Sequence, residues 1–143
     1  DVLAAIALVQ LDKLPEHTAA RERQFGLYDD GLAGLDGIEP LERDPRDVHA
    51  LHLYVVRIDA ERFGLARDEV QRALTAERIS TSIHFLPVHR LTWYRDRFPE
   101  QPPLPVAERA GDEILSLPLS PAHSDDDIRD VVEALRRIRD RAS

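Results

Sequence analysis

The stretch LHLYVVRI, residues 51–58, decides the fold class. Its β-branched and aromatic side chains alternate with a period of two, the pattern of a strand with one face on a core. Asp59 ends it. On its C-terminal side, residues 67–76 have the spacing of a short amphipathic helix, with Val70, Ala73 and Leu74 inward. STSIHFLP at residues 80–87 predicts a second strand, closed by Pro87, and ILSLPLS at residues 114–120 a third, limited by Pro118. Between them, residues 88–105 read as irregular or briefly helical, and residues 106–113 as a short helix. Ser124 is placed to cap a last helix, whose first turn carries Asp125, Asp126 and Asp127 against the positive end of the dipole. Ile128, Val131, Val132, Leu135 and Ile138 form its inner stripe.

On the N-terminal side, residues 36–48, with Pro40 and Pro45, read as a polar loop. Asp1 suits an N-cap. The helix after it is apolar nearly all round as far as Leu11, which predicts burial on more than one side. Pro15 cannot donate a backbone bond, so a break or sharp kink is expected at Leu14–Pro15. A second helix then runs to about Leu32, with Phe25, Tyr28 and Leu32 inward. Strands separated by helices give an α/β (α+β) fold, with a small mixed sheet of about three strands covered by helices on at least one face. Residues 1–143 form a single domain, and residues 1–33 a helical arm leading into it.

Composition removes several function classes. The 143 residues hold 27 acidic against 19 basic side chains, a net charge of −8, which is the wrong sign for a nucleic-acid surface. The absence of cysteine excludes disulfides, thiolate zinc sites and cysteine nucleophiles. No apolar run approaches the roughly 20 residues that span a bilayer, and the apolar opening lacks the basic n-region and cleavage site of a signal peptide. A cytoplasmic domain is expected. The sequence starts at Asp1 and contains no methionine, as a piece of a longer polypeptide would.

Chemistry-bearing residues are few. His49 and His52 flank the first strand without the spacing of a helical metal pair. His84 lies within the second strand. It is either a core histidine satisfied by a backbone partner, or a donor leaning from the sheet edge toward an anion or hydroxyl. His89 follows Pro87 in a loop, where side chains are free to meet ligands. Ser82, Ser116 and Ser120 sit on strands, with no neighbouring base that the sequence indicates, and there is no GxSxG elbow. No glycine loop of the phosphate-cradling kind is present. Trp93, Tyr94 and Phe98, with Arg90, Arg95 and Arg97, form either a cover for a flat ligand or a loop packed on the domain. The sole lysine, Lys13, is expected to reach water near a helix end. A Schiff-base lysine must instead be desolvated beside a cofactor.

Four blocks, in order, resemble one family. DVLAAIALVQLDKL (residues 1–14), HALHLYVVRID (49–59), TSIHFLPVHRLTWYRDRFPE (81–100) and LPVAERAGDEILSLPLSPAHSDDDIRDVVEALRRI (104–138) are similar to segments of the DegT/DnrJ/EryC1/StrS sugar aminotransferases. Val2-Leu3, Ala7 and Pro15 depart from the usual residues at their positions.

The resemblance implies the small C-terminal domain of a fold type I aminotransferase that uses pyridoxal 5'-phosphate. Such an enzyme works as a homodimer and transfers an amino group from glutamate to a nucleotide-linked keto-sugar, for cell-surface or antibiotic sugars. The cofactor would be held mainly by an N-terminal domain carrying the Schiff-base lysine, so this chain alone is expected to be inactive. His84 and His89 match the family's paired histidines and would bind substrate, with no catalytic, cofactor-binding or metal residue here. The alternative is a non-catalytic α/β binding or dimerisation module that shares the fold.

Overall fold

The structure, a computed structural model, describes residues 1–142. Helix α1 spans Val2–Leu32. Strands β1 (Ile38–Pro40) and β2 (Tyr54–Ile58) follow, then α2 (Ala60–Phe63) and α3 (Arg67–Ala76). A single 3-10 turn, Val88–Arg90, leads into α4 (Thr92–Arg97) and α5 (Pro105–Glu113). Strand β3 (Ile114–Leu117) and helix α6 (Asp125–Ala142) complete the chain.

The sheet runs β1-β2-β3, so the stretch read first is its centre. Three strands layered with helices is the expected architecture, but both pairings are antiparallel rather than mixed, with Ile38 opposite Ile58 and Tyr54 opposite Leu117. Tyr54, Val56 and Ile58 point to one face and are fully buried there, in one core cluster with residues of α1, α3 and α6. Arg57 points to the other face and binds Glu113 of α5 at 2.6 Å. Burying each large apolar side chain of this core is worth roughly 1.5–3 kcal/mol.

The inner stripes of α1, α3 and α6 are as expected. Phe25, Tyr28 and Leu32 of α1 share one core cluster with Val70 and Leu74 of α3 and all five apolar positions of α6, with Ala134 added. Tyr28 stacks on Tyr54 at 4.5 Å, and Phe25 meets the same ring edge-on at 4.8 Å. Burial pushes both phenols well above their ordinary pKa, with Asp29 adding to the effect at Tyr54. Each hydroxyl keeps its proton and donates it, Tyr28 to the Pro118 carbonyl and Tyr54 to Asp29, both at 2.7 Å. Ser124 and Asp127 close a reciprocal cap on α6, the Asp127 amide donating to Ser124 Oγ at 3.1 Å and the Ser124 amide to Asp127 Oδ2 at 2.7 Å.

Four local expectations are corrected. Helix α1 passes through Pro15 without ending. The carbonyl that Pro15 leaves without a donor belongs to Leu11, an exposed residue that water can serve. The apolar opening of α1 is not buried within this chain: Leu3 is 80% exposed and Ile6 54%. Asp1 occupies the N-cap position but makes no side-chain cap bond. Residues 80–87 form no strand beyond a single bridge, Ser82 to Ser116.

One strand and one helix were not read from the sequence. Residues 38–40 form edge strand β1, where Pro40 is tolerated because an edge position needs no inward amide. The turn before it requires Gly37, at φ +81°, where an added Cβ would sit 2.3 Å from the Phe63 amide nitrogen. Helix α2 is a single turn capped by Asp59.

Candidate substrate-facing site

The segment carrying both candidate histidines lies against β3 and α5. Ser82 and Ser116 exchange backbone bonds, the Ser82 amide donating at 3.1 Å and the Ser116 amide at 2.8 Å. Farther along, the Pro87 ring rests on α5 at Gly111, where a Cβ would come within 2.4 Å of Pro87 Cδ. No side chain fits there, so glycine is what lets the segment approach.

This anchoring sets His84 beside β3. Its Nδ1 lies 2.9 Å from the hydroxyl of Ser116, a side chain only 4% exposed. Phe85 packs edge-on to the imidazole at 4.8 Å. His84 and Ser116 border a small hollow of about 180 Å³ whose other walls, such as Leu53 and Thr81, carry no charge. Nε2 makes no hydrogen bond among the described residues and remains open to the surface. The ring partner of His84 is a serine side chain rather than the backbone of the first reading, and the far edge of the ring is free.

His89 is placed differently. Its side chain is only 13% exposed, and Nε2, 3.5 Å from Glu108 Oε1, is buried without a hydrogen bond. It borders a separate hollow of about 580 Å³ with Arg90, Arg95, Phe98 and Glu108. The two histidines share no wall residue, so the structure does not bring them into one pocket. Trp93, Tyr94 and Phe98 cluster with one another, Trp93–Tyr94 at 5.0 Å, yet Trp93 stays 64% exposed, so this loop is not packed down on the domain.

Ser116 is the site residue that sequence reasoning did not find. The serines were noted, but nothing in the spacing of residues 84 and 116 signals that a bridge will bring them together. Their pairing is not a nucleophile–base arrangement: Ser116 is buried, and no carboxylate orients the other ring nitrogen. His49 is engaged locally, its Nδ1 accepting from the Leu51 amide at 2.8 Å. Among the described residues no cluster of histidine, aspartate and glutamate could hold a metal ion, and no helix is long and apolar enough to cross a membrane.

Residues 1–136 match the family model described as the DegT/DnrJ/EryC1/StrS aminotransferase family. The chain is 40% identical over 141 residues to the spore coat polysaccharide biosynthesis protein SpsC of Bacillus subtilis (strain 168), covering 96% of this chain and 36% of that protein. Among solved structures, the aminotransferase TlmJ from Streptoalloteichus hindustanus superposes with a TM-score of 0.87 at 33% identity, covering 98% of this chain and 36% of TlmJ. DesI, crystallised in the presence of its TDP-sugar product, gives a TM-score of 0.87 at 37% identity, covering 96% of this chain and 35% of DesI. The chain thus spans about a third of the length of the relatives it matches.

Proposed function

Since this chain belongs to the DegT/DnrJ/EryC1/StrS aminotransferase family, we propose that it is the small C-terminal domain, residues 1–143 with a helical arm at 1–33, of a sugar aminotransferase. The full enzyme transfers an amino group from glutamate to the keto group of a nucleotide-linked sugar, as a cytoplasmic homodimer. The observation that carries this reading is the match over residues 1–136 to relatives about three times as long. DesI, seen with a TDP-sugar product, supports a nucleotide-sugar substrate, and the SpsC relative supports a polysaccharide pathway.

The family implies pyridoxal 5'-phosphate, which supplies an electron sink for transamination when bound. The residues of this chain do not fit the seat of that cofactor. Its one lysine, Lys13, lies on the exposed N-terminal part of α1 and lines neither histidine hollow. The Schiff-base lysine therefore comes from other polypeptide. What these residues supply is substrate binding and shielding from water. His84 presents the free edge of its ring to the sugar. His89 takes part beneath Glu108, at the wall of the neighbouring hollow. The uncovered apolar side chains of Val2, Leu3 and Ile6, beside a complete core elsewhere, support a domain that works against further polypeptide.

The test is a turnover assay with the full-length polypeptide, pyridoxal phosphate, glutamate and TDP- or UDP-linked keto-hexoses. An amino-sugar nucleotide and 2-oxoglutarate should form in equal amounts. Transamination of simple keto acids alone, with every nucleotide sugar refused, contradicts the reading.

A further inference from the structure

We propose that Ser116 is a positioning residue for sugar binding, whose hydroxyl holds the His84 imidazole in the tautomer that carries its proton on Nε2. This rests on the reading that His84 meets the sugar. A buried hydroxyl must place its proton on an acceptor, and the acceptor in reach of Ser116 Oγ is His84 Nδ1 at 2.9 Å. The Ser116 amide and carbonyl are both bonded to Ser82, which fixes the backbone that carries the hydroxyl beside His84. No charged side chain borders the hollow that would pull the ring proton the other way. With Nδ1 accepting, a neutral imidazole carries its hydrogen on Nε2. The free edge of the ring is then a donor in a fixed orientation, suited to a sugar hydroxyl or a phosphate oxygen. Gly111 and the Ser82–Ser116 bridge hold the segment, and Ser116 sets which way the proton faces.

Selective 15N-histidine labelling of the full-length polypeptide tests this without any turnover, with the His84 signals identified by their loss in His84→Ala. The wild type should show His84 as a single tautomer protonated on Nε2, and Ser116→Ala a mixture of the two. A wild-type proton on Nδ1, or an unchanged spectrum in Ser116→Ala, overturns the proposal. In kinetics with a TDP- or UDP-linked keto-hexose, Ser116→Ala should raise the sugar KM about 2- to 10-fold, as one lost hydrogen bond would. It should change kcat less than about twofold, and Ser116→Thr should restore the KM. If His84→Ala leaves the sugar KM unchanged, the reading of His84 fails. If His84→Ala raises it and Ser116→Ala does not, only the role of Ser116 fails.

Discussion

The two ends of helix α1 both carry apolar side chains, the N-terminal end more of them, and these have opposite fates. Its C-terminal part puts Phe25, Tyr28 and Leu32 into the core, each 6% exposed or less. Its N-terminal part presents Val2, Leu3, Ile6, Val9 and Leu11 outward, none less than 52% exposed. The core is built from the C-terminal part together with residues of the three strands, α3 and α6. Apolarity therefore has two meanings in this chain. Where the stripe has a partner from within the 143 residues it makes the domain; where it has none it stays exposed, and under the proposed function that face is a surface for other polypeptide.

Substitutions at the two kinds of position should separate the meanings. Leu135→Ala, at a fully buried position on α6, should cost about 2–5 kcal/mol by denaturant unfolding, in the isolated chain and in the full-length enzyme alike. Ile6→Ala should fall within about 0.5 kcal/mol in the isolated chain and destabilise clearly only in the full-length enzyme. Equal silence of Ile6→Ala in both would break the comparison. Gly111→Ala should come next, at about 1–3 kcal/mol, because the new methyl must displace Pro87. It should also raise the sugar KM, since the displaced segment carries His84.

The smallest effect concerns the packed side alone. The Ser124 hydroxyl, and then its backbone amide, hold the Asp127 carboxyl below the usual aspartate range. A depressed folded-state pKa contributes stability that is full above the unfolded value, about 4, and is lost as pH falls through the folded value. Asp127→Asn should therefore lower stability slightly at neutral pH, where the ionised carboxylate contributes, and flatten the decline on the acid side of about pH 4, where the two proteins converge. A steeper acid decline in that variant would contradict the cap.

What the sequence made legible follows the same division. Val70, Leu74, Ile128 and Leu135 were readable because a helical period and a buried face are the same pattern. The burial predicted for residues 2–11 is not found within this chain, because apolarity alone does not say whether any surface covers a stripe. Strand β1 was hidden by Pro40, which an edge position tolerates. Residues 80–87 had strand composition, yet the segment pairs through Ser82 alone before Pro87 docks on Gly111. His84 was legible as a candidate. Ser116 was not, because the two residues are joined only by tertiary pairing across 32 positions of chain.

On the proposed function, these residues complete a site whose reactive amine lies in other polypeptide. The most direct measurement is transaminase turnover by purified residues 1–143, supplied with pyridoxal phosphate, glutamate and the nucleotide sugar that the full-length enzyme accepts. The account predicts no amino-sugar from the isolated chain and normal production from the full-length polypeptide. Turnover by the 143 residues alone would contradict it.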